Sequence, residues 1–337
     1  MTISGSESGT GHDVLLRRLQ ELAEAAVYRF ELPKSVIVRL INVSENATYR
    51  VDDPGSGRSW AMRVHRDGYH SKTAIASELA WQRALKAEGA IITPSSIPGR
   101  DGELLQTVHV EGLPRPRNVV LFDWEAGSEP AQNDVAGFEL LGETAAHMHR
   151  HVRKWSRPAW FERHTWDFET ALGAKPHWGR WRDGMGLTPE ILRVFERTVV
   201  AIEQRLQMFG KGSERFGLVH GDMRLANLLM DGRNVKVIDF DDCGFSWFLY
   251  DCATTVSFFE DAPEVPELIG AWVRGYRRIA HLSTDDEAEI PTFVMLRRML
   301  LVAWIGSHSE TELAQSMGEA YTRGTVALCE TYLAKFA

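Results

Sequence analysis

The chain has 337 residues, with 44% hydrophobic and 25% charged side chains, a mixture that excludes a disordered, collagen-like or membrane-embedded polypeptide and leaves room for two lobes of ordinary domain size. Acidic residues outnumber basic ones by 46 to 38, a formal charge of −8. This disfavours nucleic acid as a partner, which needs a basic face to displace phosphate counterions.

Residues 1–11 are small and polar, lack the basic and apolar sections of a signal peptide, and read as a tail. Val14, Leu15, Leu19, Leu22 and Val27 recur at helical spacing and predict an amphipathic helix from Val14 to Tyr28. The period then changes. Short strands are predicted for Val36 to Leu40, Thr48 to Val51 and Trp60 to Val64, the last two joined by Asp52-Asp-Pro-Gly-Ser-Gly57, which is hairpin-loop chemistry. A helix from Thr73 to Lys86 and a strand from Val119 to Trp124 follow. The turn-rich stretch Glu125-Ala-Gly-Ser-Glu-Pro130 is the best boundary, because the remainder reads as mostly helical. Helices are expected from Asn133 to Val152, with Phe138, Leu141, Ala145 and Met148 on one face, and over Pro189–Gln207, Pro266–Ala280, Pro291–Ile305 and Glu310–Lys335. Trp155, Trp160, Phe161, Trp166, Trp178 and Trp181 crowd the interval between the first two of these and read as core or lid residues.

The most apolar run, Met299 to Ile305, is far short of the ~20 residues that cross a bilayer. Cys243, Cys252 and Cys329 form neither a disulfide framework nor a CxxC knuckle, so packing roles in a reducing cytoplasm are expected, with no membrane partner. No fixed-period repeat is present, which argues against a solenoid. His147, His149 and His151 tempt a metal reading, but no third ligand with metal-site spacing accompanies the pair one helical turn apart.

The segment that carries chemistry is Leu218-Val-His-Gly-Asp-Met-Arg-Leu-Ala-Asn-Leu-Leu-Met230, followed by a glycine turn and Val235-Lys-Val-Ile-Asp-Phe-Asp-Asp242. Phosphoryl transfer needs one residue that orients the attacking hydroxyl and oxygen ligands for Mg²⁺, which offsets charge on the β- and γ-phosphates. Here His-Gly-Asp-x-x-x-x-Asn and Ile-Asp-Phe supply those groups in order. Asp222 would accept the hydroxyl proton or hold the alcohol in line, and Asn227 and Asp239 would hold the metal. Strand alternation would turn Asp241 to the same side as Asp239, to assist a second magnesium or face the substrate, leaving Asp242 outward or capping.

Through these motifs the chain resembles the aminoglycoside phosphotransferase and choline kinase group, the small-molecule relatives of protein kinases, and within it the stress-response kinases and type II homoserine kinases. The likeness covers most of the chain. Ser44-Glu-Asn-Ala-Thr-Tyr-Arg-Val51 resembles the group's nucleotide-covering loop, Trp60-Ala-Met-Arg-Val64 its phosphate-binding strand, and Ser77-Glu-Leu-Ala-Trp81 the helix with the partner glutamate. The resemblance implies that Ser44, Asn46 and neighbouring amides donate to phosphates and that Arg63, where most members carry lysine, binds phosphate oxygens with Glu78 positioning it. The alternative for Arg63 and Glu78 is a solvated surface pair. It also implies that backbone atoms of Asp123, Trp124 and Glu125 hold adenine beside a gating Phe122. Arg224 stands where the group places a cation, either to stabilise the transferred phosphoryl or to shape the loop by a salt bridge. His220 reads as a structural hydrogen-bonding residue, and Asp251 in Tyr250-Asp-Cys-Ala as a brace for the catalytic loop.

The expected architecture is α+β, a bilobal protein-kinase-like fold: a nucleotide-binding lobe over residues 1–122, a hinge over 123–127 and a catalytic and substrate-binding lobe over 128–337. The expected activity is ATP- and Mg²⁺-dependent phosphorylation of a hydroxyl on a small molecule, such as an aminoglycoside-, homoserine- or choline-like acceptor. A protein serine/threonine kinase is the first rival, weakened because no Ala-Pro-Glu-like activation segment follows Ile-Asp-Phe. A non-catalytic nucleotide-binding regulator is the second, weakened by the joint presence of Asp222, Asn227 and Asp239.

Overall fold

The structure, a computed structural model, describes residues 7–44 and 46–337. It contains two compact units: one formed by the residues up to Ala84 with Pro94–Glu125 and Pro158–Glu162, the other by Leu85–Thr93, Ala126–Arg157 and Arg163–Ala337. Each unit is thus assembled from separated stretches of chain.

The first unit is built on an antiparallel sheet. β1 (Ile37–Val43), β2 (Ala47–Asp52), β3 (Ser59–Val64), β4 (Ser96–Ile97), β5 (Gln106–Val108) and β6 (Arg117–Asp123) lie in the order β1-β2-β3-β6-β4, with β5 also on β6. Helix α1 (Glu7–Ala26) begins earlier than the spacing predicts and takes in residues 7–11 of the expected tail; the rest of that tail lies outside the described residues. Strand periodicity divides β3 between two faces. Trp60, Met62 and Val64 pack with Leu19, Leu22, Ala23 and Ala26 of α1, while Ala61 joins Ile75 and Leu79 of α2 (Lys72–Ala87) on the other face. Arg63 shares the Ala61 face. β4 and β5, with two and three residues, carry too little pattern to be read from sequence.

The second unit is mainly helical: α3 (Val135–Val152), α4 (Phe168–Ala171), α5 (Pro189–Phe209), α6 (Phe248–Thr254), α7 (Val265–Ile279), α8 (Thr284–Ala288), α9 (Ile290–Ser307) and α10 (Glu312–Phe336). Boundary chemistry is local. The Asp134 carboxylate caps α3 by accepting from the Gly137 amide, and Thr188 caps α5 ahead of Pro189. α3 and α7 approach backbone to backbone: a Cβ on Gly142 would stand 1.9 Å from the Trp272 carbonyl, and one on Gly275 1.8 Å from that of Glu139. α10 is two helical pieces joined at Gly318, whose φ is 49°, so the single helix predicted there is broken.

α9 is the central core helix, packed against α5, α6 and α10. The stretch Thr284–Ser307 is apolar and long enough to pass for a membrane span by composition, yet 83% of its apolar window is buried in the fold. Trp166, Trp178 and Trp181 are core residues and Trp160 is exposed, which resolves most of the tryptophan-rich interval as packing. All three cysteines are buried. Two small ribbons complete the unit, β7 (Phe216–Val219) with β10 (Gly244–Trp247) and β8 (Leu228–Asp231) with β9 (Asn234–Val237).

Candidate active site

The loop His220–Asn227 joins β7 to β8. Met223, Leu225 and Leu228 are buried and pin it from below, so its polar side chains have little freedom. Gly221 has φ 81°, and a Cβ there would meet the Asp242 carbonyl at 2.7 Å; the turn requires glycine on both counts.

Asp251, fully buried at the start of α6, fixes the loop. Its carboxylate accepts from the backbone amides of His220 (3.1 Å) and Gly221 (2.8 Å), which is the bracing role expected for it. Three residues further on, Thr254 Oγ1 accepts from the Met223 amide at 2.9 Å and donates to the Asp251 carbonyl at 2.9 Å. Behind Asp251 lies His149, 3.0 Å away through Nε2, with Tyr276 Oη 3.1 Å from its Nδ1. A carboxylate only accepts, so Nε2 carries the hydrogen and Nδ1 accepts from the tyrosine. Burial, opposed by the Asp251 carboxylate, pushes the His149 pKa down and keeps the ring neutral. His151 meets Glu88 at 3.5 Å and His147 meets Arg150 at 3.1 Å, so the three histidines point to separate partners.

Asp222 is 8% exposed. Its Oδ2 accepts from Asn227 Nδ2 at 2.8 Å and lies 3.3 Å from Arg224 Nε, and Oδ1 is paired with Arg297 of α9. Burial alone would raise its pKa; the Arg297 and Arg224 charges, with His220, outweigh that and hold the carboxyl below its ordinary range. Asn227 Nδ2 also donates to the Asp222 carbonyl at 2.9 Å, which commits the nitrogen and turns Oδ1 into the atom able to ligate a cation. His220 is structural in its contacts: Nε2 donates to the Ile238 carbonyl at 3.1 Å and Nδ1 lies 3.3 Å from the Asp222 amide. The Ile238 amide in turn donates to the Asn227 carbonyl at 3.0 Å, and these two bonds bring Asp239 beside the His220–Asn227 loop.

The strand reading of 239–242 fails. β9 ends at Val237, Asp239 sits in the left-handed region at φ 60°, ψ 69°, and Phe240–Asp242 is a 3-10 turn. Period-two alternation therefore cannot assign Asp241 to the Asp239 side; Asp239 is exposed, Asp241 buried. Arg163, buried, donates to the Asp241 carbonyl and, at 2.5 Å, to the Cys243 carbonyl, and the Trp166 indole donates to the Asp242 carbonyl at 2.7 Å. Asp242 is half-buried.

In the first unit Arg63 and Glu78 form an ion pair at 2.6 Å, with side chains 8% and 0% exposed, which replaces the solvated-surface alternative. The pair follows from register: Arg63 lies on the α2 face of β3, and Glu78 sits between Ile75 and Leu79 on the helix side that packs there. The Arg63 guanidinium is also 5.2 Å from the Phe122 ring. Ser44 and Asn46 form the β1–β2 turn, the Ser44 amide donating to the Asn46 carbonyl at 3.0 Å, and Asn46 Oδ1 accepts from the Arg66 amide at 3.0 Å; Glu45 lies outside the described residues. Asp123 ends β6 with its amide on the Ser95 carbonyl at 2.9 Å, and the Trp124 ring lies 4.5 Å from the Arg50 guanidinium.

A model of the phosphotransferase enzyme family matches residues 37–288. The chain belongs to that family. It is an enzyme of the kinase type that phosphorylates an alcohol group. It is similar to a solved microcompartment-associated aminopropanol kinase, at 40% identity over 94% of this chain and 98% of that one, with a TM-score of 0.86. It is 25% identical over 295 residues to amicoumacin kinase of Bacillus subtilis (strain 168), covering 84% of this chain and 83% of the relative. An amicoumacin kinase solved in complex with AMP-PNP, Ca²⁺ and Ami shares the fold, with a TM-score of 0.74 at 20% identity over 96% of each chain. The β-sheet and helical units are those of the kinase-like phosphotransferases.

Sequence reasoning missed Arg297, Tyr250 as a site residue, and Arg163. A signal for the first existed: two consecutive arginines, Arg297 and Arg298, inside an otherwise apolar helix demand buried acidic partners.

Proposed function

We propose that this phosphotransferase moves the γ-phosphoryl group of ATP, bound with Mg²⁺, to the hydroxyl of a small amino alcohol. The catalytic part of the reading is supported above all by the arrangement of Asp222 and Asn227, a fixed carboxylate and a fixed amide oxygen on one loop held by Asp251. The acceptor class is supported by the 40% identity to an aminopropanol kinase. A cytoplasmic location is part of the reading.

Asp222 takes the proton of the acceptor hydroxyl and keeps that oxygen aimed at phosphorus. Asn227 Oδ1 and the carboxylates of Asp239 and Asp241 are hard oxygen donors of the kind that suit Mg²⁺, which when bound offsets charge on the β- and γ-phosphates. Arg63, steadied by Glu78, offers its planar fork to phosphate oxygens. Ser44, Asn46 and the adjoining amides cover the phosphates, and backbone atoms of Asp123, Trp124 and Glu125 hold adenine. Arg224 stabilises charge on the transferred group while remaining within reach of Asp222.

The test is ADP formation across 1-amino-2-propanol, ethanolamine, choline, homoserine and an aminoglycoside, with the product weighed by mass spectrometry. The amino alcohols should give the highest kcat/KM and a product heavier by one phosphoryl group. Asp222→Asn should lower turnover ~100- to 10,000-fold, the usual range for a general base, while Mg-ATP binding persists. Unchanged turnover in that variant would defeat the assignment.

A further inference from the structure

The two arginines of α9 diverge, as consecutive helical positions must. Arg298 meets Glu260 at 2.7 Å, Thr325 Oγ1 at 2.7 Å and the Tyr321 carbonyl at 3.1 Å, a set that fastens α9 to α10 and to the segment after α6. Arg297 ends on the reactive carboxylate. Its side chain is 1% exposed; Nε donates to Ser257 Oγ at 2.9 Å, one terminal nitrogen reaches Tyr250 Oη at 3.3 Å, and the other donates to Asp222 Oδ1. The Trp178 ring lies 5.2 Å from the guanidinium.

The guanidinium is therefore held at three corners. Ser257 is itself held, its hydroxyl donating to the Thr254 carbonyl at 2.8 Å, and Thr254 is the residue that accepts from the Met223 amide. One turn of chain after Asp251 thus fixes both the catalytic loop and the arginine that reaches it.

An ionised carboxylate offers about four acceptor positions. On Asp222, Asn227 and Arg224 occupy Oδ2 and Arg297 occupies one position on Oδ1. We propose that Arg297 is a positioning residue for phosphoryl transfer: it fixes the rotation of the Asp222 carboxylate so that the acceptor hydroxyl docks on the remaining lone pair of Oδ1. The inference rests on Asp222 being the proton acceptor. In the step, the acceptor oxygen bonds to phosphorus, the bond from phosphorus to the bridging oxygen breaks with its electron pair leaving on ADP, and the hydroxyl proton passes to Oδ1. Arg297 contributes direction and takes no proton.

A mere staple between α9 and the loop is separable by kinetics. Arg297→Met, Arg297→Lys and Ser257→Ala are assayed for ADP formation with 1-amino-2-propanol, for Mg·AMP-PNP binding by calorimetry, and for thermal unfolding. Arg297→Met should lower kcat ~100-fold, the effect of a misplacement near 1 Å, with AMP-PNP affinity unchanged. Arg297→Lys should recover about ten-fold of that, and Ser257→Ala, which strands the buried Arg297 Nε–H, should lose a few-fold in kcat with a modest fall in Tm. Wild-type kcat in folded Arg297→Met with a lowered Tm would leave only a staple and overturn the proposal. Should that variant not fold, wild-type kcat in both Arg297→Lys and Ser257→Ala would overturn it equally. Asp222→Asn run alongside separates the two failures: if it too keeps full turnover, the assignment of Asp222 is wrong, not the part given to Arg297 alone.

Discussion

Two of the buried arginine–carboxylate pairs, Arg63–Glu78 in the first unit and Arg297–Asp222 in the second, are assembled in opposite ways. Arg63 and Glu78 are 15 residues apart and meet because a strand face and the next helix are packed together. Arg297 and Asp222 are 75 residues apart and meet only because α9 runs through the core of the second unit. The first pair is a product of local order; the second depends on α6, which holds the loop through Asp251 and Thr254 and the arginine through Tyr250 and the adjoining Ser257. Removing one member of a buried pair leaves an uncompensated charge, a cost well beyond what the pair itself contributes. The two pairs should therefore fail differently, the local one at nucleotide binding and the long-range one at transfer.

The strongest challenge to this contrast is Asp251→Ala. Loss of the carboxylate strands the His220 and Gly221 amides and the His149 Nε2 hydrogen, so stability should fall by about 3 kcal/mol in urea unfolding and turnover should vanish even in folded protein. Retained activity would show that the loop holds its shape without α6. Next comes Glu78→Ala, which leaves the Arg63 guanidinium buried without this carboxylate. KM for ATP should rise roughly ten-fold, a loss of about 1.4 kcal/mol, with a smaller effect on kcat; a selective fall in kcat would erase the distinction between the pairs.

A pH series sharpens the contrast further. The pKa of His149 is lowered by burial against the opposing pull of Asp251, so the folded ring resists the proton that the unfolded chain takes up below about pH 6.5. Its contribution is complete above that value and is lost as the pH falls from it towards the depressed folded pKa. Over that window the denaturation midpoint of the wild type should fall more steeply than that of His149→Gln, so that the gap between them at neutral pH narrows. The smallest effect is expected from Arg193→Ala: the Arg193–Glu190 pair is 67% and 73% exposed, and its loss should leave Tm unmoved.

Much of this was legible along the chain. Apolar spacing located α2, α3, α5, α7 and α9 to within a few residues, since each buries one face or, for α9, nearly all of its surface. The Asp222–Asn227 spacing and Ile238-Asp239-Phe240 marked the candidate site because phosphoryl transfer needs those groups in that order along the chain. The reading stopped where backbone geometry left the regular menu. Asp239 lies at positive φ, so alternation could not be carried through it to Asp241. The Gly318 break in α10 was hidden because helical spacing persists on both sides of it.

Family, lobe composition and the place of the candidate catalytic loop are thus properties of the sequence by itself, because they depend on neighbours within a few residues and on the order of motifs. The surroundings of Asp222 belong to the tertiary structure. Which cation reaches Oδ1, what holds that cation, and which carboxylate anchors the loop are set by α6 and α9, whose side chains reach the loop from 30 to 75 residues further along the chain. Hydrophobic periodicity specifies that such helices are buried but not which polar side chains they bring together, and at a buried carboxylate with few acceptor positions that convergence decides the geometry.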